Sequence, residues 1–440
     1  MNKNKCFNFL NIITEDIKNV NNPIIIYNNY YIDYWNTNKS NIELLIKIFY
    51  NQIISIINIT NDTILEKSLI KHIIWTPIIH KYPIYYEYYI NNNNNINYDN
   101  FNNKINTKEI TSKYNINYKS YIKKYVDNIP NNIIDILNEF QNGLFISLDI
   151  KLYVENYINN CIVYNFDHLD LYFFYNTNEL NNQTKNNLIY NIYIISKWIY
   201  NFNPNKKIIF YYFDTTIEKK IIKNINYLCN QNINSGLSST NYLMIWRREE
   251  ILKVLIHELI HFTNIDFKHN KQLDTIIKYN IGKFNYPILI NETITELQAQ
   301  FYHTLYLLII ENTNKSLCEI IYLFKIFYNI EHIYSWYQFN KIMNYFSINS
   351  FNMNLIKLNF HQSTNVFSYF ILKSIFSIHF YDILYELNYI KKLINDNNQS
   401  LIIPKIKNII DNFPIVFLNK IIQNININND SLRMSIFGNY

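Results

Sequence analysis

Residues 248–262, REEILKVLIHELIHF, constrain this chain more than any other stretch. The run holds no Pro or Gly, and apolar side chains fill most of it from Ile251 onward, so its spacing predicts a helix sunk in a core. Glu249 and Glu250 fall where a first helical turn favours anions. Inside the apolar part stand His257, Glu258 and His261. Buried polar side chains are costly unless they find partners. On a helix, residues four apart share a face, so both imidazoles can address one ion, and Glu258 can reach a water that the ion activates. With 10 His in 440 residues, chance yields on the order of 0.01 such HExxH patterns per chain. The bland reading is a pair of hydrogen-bonded core histidines.

A catalytic zinc takes three protein ligands and keeps one position open. The metzincin continuation requires a glycine three residues after the second histidine and a histidine three further on; Asn264 and Phe267 stand there. Asp266 and His269 lie in the polar stretch that follows the helix. A second helix is expected over 290–310, and on it Glu292 and Glu296 are again four apart. One carboxylate can bind metal while the other accepts the free ring N–H of a ligand histidine.

His257-Glu258-Leu259-Ile260-His261 followed by Asn291-Glu292-Thr293-Ile294-Thr295-Glu296 resembles the gluzincins, notably the thermolysin-like zinc metallopeptidases, over roughly residues 235–310. The resemblance implies one Zn2+ per chain, held by His257, His261 and Glu292. It implies that Glu296 orients His257 and that Glu258 is the general base for hydrolysis of a peptide or protein substrate. It also implies a substrate-pairing strand just ahead of the active helix, where 242–246 stands. The gap between His261 and Glu292 is longer than in the thermolysin type, so the connecting loop differs. In the family a downstream His or Tyr stabilises the oxyanion; His303, His332, His361, Tyr369 and His379 qualify by position, and His361 with Tyr369, at the start of a helical pattern, are the picks. The composition and Trp246-Arg247-Arg248-Glu249-Glu250 also resemble uncharacterised zincin-like proteins of large DNA viruses. The alternative is a catalytically silent zincin-like module for structure or interaction, which would have no need of Glu258.

Composition narrows the remaining classes. Asn, Ile and Tyr dominate, as in an AT-rich coding sequence, while Gly numbers 4, so Asn is expected at positive-φ positions. A net charge of +6 with no dense Lys/Arg cluster argues against nucleic acid as a partner. No window runs 18 apolar residues without polar interruption, which argues against a membrane span. The first residues make a poor signal peptide, and Cys6, Cys161, Cys229 and Cys318 form no CxxC pair. An intracellular location follows as the expectation, host cytoplasm or virion under the viral resemblance.

Strands are expected at 144–150, 169–175, 207–213 and 242–246, with a turn at 235–239. Helices are expected at 42–57, 133–140 and 186–200, and through most of the chain beyond 290. Strands followed by helices predict an α+β fold: a zincin-like catalytic domain with a small mixed sheet on the HExxH helix. The expected units are residues 1–117, ending in an Asn-rich linker over 91–117; 118–345, the catalytic domain; and 346–440, a helical region completing the cleft.

Overall fold

Alternation along the strands decides the layering. The computed structural model describes residues 23–60, 68–74, 131–204, 206–222, 226–267, 271–280, 287–377, 380, 399–411, 418–419, 422 and 430–437; the predicted linker, His269 and His379 lie outside them. Among the described residues, β1 (Leu69–Ile74), β2 (Asn160–Asn165), β3 (Leu169–Tyr175), β4 (Ile208–Phe213), β5 (Gly236–Ser238) and β6 (Leu243–Ile245) form one mixed sheet in the order β1-β2-β3-β4-β6-β5. The β3–β4 and β4–β6 pairs are parallel and the others antiparallel. Leu171 pairs with Phe210 and Phe173 with Tyr212. These side chains enter the large core shared with most of the helices. Phe174, Phe213 and Met244 point the other way, onto α2 (Asn131–Asn142) and α3 (Leu148–Tyr157). Because side chains alternate along a strand, helices cover both faces, and the fold is α+β.

The large core gathers α1 (Pro23–Ile59), α4 (Asn182–Tyr200), α6 (Ile251–Phe262), α7 (Lys271–Asn280), α8 (Ile290–Glu311), α9 (Leu317–Tyr345), α10 (Met353–Asn359), a π-helical turn at Phe367–Leu372 with its continuation α11 (Lys373–Ser377), and α12 (Gln399–Asp411). The small helix α5 (Asn230–Ile233) leads into β5. One apolar cluster therefore runs from Trp35 to Met434, through all three expected units. The stretch Asn38–Ile59 of α1 is long and apolar enough to cross a membrane by length and composition. Here its Ile42, Leu45, Ile46, Phe49, Ile53 and Ile56 are buried in that core, with Phe49 edge-on to Trp198 and Tyr302.

Two local expectations are corrected. Residues 144–150 are not a strand: Leu144 and Phe145 are exposed in a turn, and α3 begins at Leu148 after Ser147. A short apolar run does not by itself separate strand from buried helix. The HExxH helix starts at Ile251 rather than 248, and Glu250 precedes it with φ 58°. That left-handed conformation costs a non-glycine residue roughly 1–2 kcal/mol. It turns the Glu250 carboxylate away from the helix end and onto Lys219 Nζ, 2.7 Å away, and the Met434 N–H at 2.8 Å. Of the three positive-φ non-glycine residues among those described, Asn264 at φ 54° is Asn, while Glu250 and Ser347 are not, so the expectation that Asn occupies such sites holds only in part.

Candidate metal centre

The helix α6 is buried nearly all round, between the β5–β6 edge of the sheet and α8. His257 and His261 thereby come to face α8, whose first turns carry Glu292 and Glu296. The Nε2 atoms of His257 and His261 stand 3.3 Å apart. Glu292 Oε2 is 3.5 Å from Nε2 of His257, and Glu292 Oε1 is 3.5 Å from Nε2 of His261. Atoms about 2.1 Å from a central zinc in a tetrahedral set lie roughly 3.4 Å from one another. The two Nε2 atoms match that spacing, each has one oxygen of the Glu292 carboxylate at a similar distance, and two imidazoles with one carboxylate are ligand types that zinc takes. The residues therefore fit the ion that the sequence pattern implies.

Each ring is held from behind. His257 Nδ1 lies 3.2 Å from Glu296 Oε2, and His261 Nδ1 lies 3.1 Å from Asp266 Oδ2. Asp266 arrives there because the chain reverses at Asn264, where the Ile265 N–H bonds the Ile260 carbonyl at 3.1 Å. Asp266 thus stands behind the His261 ring, a placement that sequence reasoning missed when it weighed Asp266 as a ligand. Its signal was present: an acid five residues after the second histidine, beyond an Asn that can take positive φ.

Electrostatics follow from this packing. Burial opposes charge on both rings, yet the facing carboxylates outweigh it: Glu292 and Glu296 raise His257, and Asp266 with Glu292 carry His261 up to about 10. The same imidazoles hold Glu292 well below the carboxylate range despite its burial. Glu258 is shifted the opposite way: desolvation raises its pKa and the neighbouring histidines only partly offset it. Glu258 faces the sheet edge. Its Oε1 lies 3.1 Å from where a Cβ on Gly236 would stand, and a hydrogen bond joins it to Ser238. A Cβ at Gly236, one of 4 glycines in the chain, would press on Glu258, Ile245 and Val254 at 3.1 Å each, so glycine suits that close approach.

The sheet edge corrects another expectation. Residues 242–246 do form a strand, β6, but it lies inside the sheet between β4 and β5. Among the described strands, the edge beside α6 is β5, within the stretch expected as a turn. Gly236-Leu237-Ser238 is too short and too polar to announce a strand, and only its pairing with Ile245-Met244-Leu243 makes it one.

The two oxyanion candidates separate. The Tyr369 hydroxyl donates to Glu292 Oε2 at 2.9 Å, and its ring meets His257 edge-on at 6.0 Å. Tyr369 sits in the π-helical turn, which is tied to the start of α8 by the Leu289 N–H to Ser368 Oγ at 3.0 Å and by Thr293 Oγ1 to the Ser368 carbonyl at 3.1 Å. Such turns recur at functional sites. His361 lies on the backbone bridge to residue 228, where its carbonyl accepts the Leu228 N–H at 3.1 Å. Among the described contacts none links its side chain to the cluster. Comparison of the chain with protein-family models, curated proteins and solved structures gives no match.

Proposed function

We propose that this protein is a zinc-dependent metallopeptidase with a gluzincin-type site, acting on peptide or protein substrates. His257, His261 and Glu292 would hold the ion. One observation carries the reading: two imidazole Nε2 atoms 3.3 Å apart, each with one oxygen of the Glu292 carboxylate 3.5 Å away, beside a buried glutamate that faces β5, the last strand of the sheet among the described residues. Bound there, zinc supplies the Lewis acidity that polarises a carbonyl and acidifies water.

The chain's own residues do the rest. Glu258, its pKa raised by burial, takes the proton of the attacking water and returns it to the leaving amine. Glu296 and Asp266 fix the imidazoles so that their Nε2 atoms face the ion. The side of β5 that pairs with no described strand offers backbone donors and acceptors on which an extended peptide would lie as a further strand. The Tyr369 hydroxyl is the donor we assign to the oxyanion; His361 has no part in this proposal. An intracellular setting belongs to the same reading and accords with Cys229 and Cys318 standing outside any disulfide.

The test is metal analysis joined to peptide hydrolysis. Purified protein should carry one zinc per chain, lose hydrolysis of a mixed peptide library on chelation, and regain it on zinc addition. Zinc bound without hydrolysis would instead favour the catalytically silent zincin-like module. Protein that takes up no zinc would overturn both.

A further inference from the structure

Glu296 divides its carboxylate between two tasks. Oε2 faces Nδ1 of His257 at 3.2 Å. Oε1 receives two ammonium groups: Lys253 Nζ donates to it, and Lys373 Nζ lies 3.4 Å away. Lys253 is one helical turn before His257 on α6, and Lys373 opens α11. Both lysines are almost wholly buried, where an ammonium is costly unless paired. Salt bridging to one carboxylate is not the whole of their support. Lys373 Nζ also donates to the Met434 carbonyl at 2.7 Å, and Lys253 Nζ is 3.6 Å from Met434 Sδ.

Met434 belongs to a strap, residues 430–437, that runs through the interior. The Leu432 N–H donates to the Lys219 carbonyl at 3.0 Å and the Met434 N–H to Glu250 Oε1 at 2.8 Å. Lys341 Nζ and Gln338 Nε2 bond the carbonyls of Ser431 and Arg433 at 2.7 and 2.8 Å. The strap is therefore fixed at several points, and from it the two ammonium groups are fixed in turn.

We infer that Lys253 and Lys373, braced by the 430–437 strap, are positioning residues for the metal centre. They claim one oxygen of Glu296 and so leave the other aimed at His257, which presents Nε2 to the ion. The strap contributes no ligand, yet it belongs to the site. This inference rests on the metal reading proposed above.

Zn2+ affinity of the full chain, measured by competition with a chromophoric chelator, tests it in a double-mutant cycle of Lys373→Met and Glu296→Gln. Methionine keeps the stem and removes the charge. Lys373→Met should weaken zinc binding about 10–100-fold, as loss of an outer partner of a ligand does. In the Glu296→Gln background the same substitution should cost little more, because it acts through that carboxylate. Far-UV circular dichroism checks folding. If Lys373→Met does not fold, Lys253→Met replaces it, and 15N spectra of zinc-loaded wild-type protein should show His257 protonated at Nδ1. Unchanged affinity, additive losses, or a proton on Nε2 would overturn the inference while leaving zinc binding in place. A wild-type chain that binds no zinc would overturn the metal reading itself.

Discussion

The molecule holds a second histidine centre that invites comparison with the first. His168 Nδ1 lies 2.7 Å from Asp167 Oδ1, and its Nε2 lies 2.8 Å from Ser196 Oγ. Acid, imidazole and hydroxyl thus stand in the order of a nucleophilic triad. Access reverses the likeness. The Ser196 hydroxyl is wholly buried and donates to the Tyr193 carbonyl at 2.9 Å, while the Asp167 side chain is 64% exposed and pairs with Lys197. A working triad needs the opposite: a sheltered acid and a reachable nucleophile. His168 is capped by the rings of Tyr193 and Tyr200, and burial pushes its pKa down to about 4. At the candidate metal centre the imidazoles are surrounded by carboxylates and stay partly open, with the His261 side chain 17% exposed and Glu292 15%. Similar donor order therefore serves a structural staple in one place, holding the β2–β3 turn to α4, and a candidate reaction centre in the other. Access and neighbouring charge decide between them.

The largest test of this contrast is Glu258→Gln. Peptide hydrolysis should fall by about 10²–10⁴-fold, the usual worth of a positioned general base, while zinc content is unchanged. Activity surviving in that variant would remove Glu258 from the chemistry.

The second test is acid. His168 titrates near 4 in the folded chain against 6.5 ordinarily, because burial penalises its charged form. The unfolded chain then binds the extra proton first, so the stabilisation is complete above pH 6.5 and drains away as pH falls toward 4. At about 1.4 kcal/mol per unit this amounts to roughly 3 kcal/mol. His303 and His332, each pushed by burial to about 3, extend the loss further into acid. Urea unfolding between pH 7 and 4 should show the decline, with a shallower slope in His168→Gln; identical slopes would refute the staple role.

Asp266→Asn comes next. It should weaken zinc binding about 10–100-fold by loosening His261, without removing a ligand. Complete loss of zinc, with Glu292→Gln retaining it, would make Asp266 the ligand and Glu292 the support.

The smallest effect belongs to Ser196→Ala. It leaves His168 Nε2 short of a partner and should cost about 1–3 kcal/mol of stability, with peptide hydrolysis by the folded protein unchanged. A hydrolytic defect there would break the distinction between the two centres.

Much of the metal centre could be read before folding because a helix is a local object. Spacing of four residues puts His257 with His261, and Glu292 with Glu296, on common faces whatever the rest of the chain does. The strands β3 and β4 were legible for a similar reason: Leu169–Tyr175 is aromatic, and Ile208–Phe213 aromatic and β-branched, enough to identify themselves. Local signals failed where the partner was distant. Strand β5 is a strand only against β6, and β2 (Asn160–Asn165) escaped notice between two Asn-rich flanks. Glu249 and Glu250 read as helix-dipole residues, yet burial forces Glu250 to pair with Lys219, thirty-one residues away. Tyr369 and His361 were indistinguishable in sequence, and only the packing of the π-helical turn on α8 brings one of them to Glu292. The sequence by itself determined the helices and which side chains share a face, since those follow from backbone geometry. Tertiary structure alone decided which carboxylate meets which ring, which strand forms the open edge, and which histidine is sealed, because these depend on contacts between segments far apart in the chain.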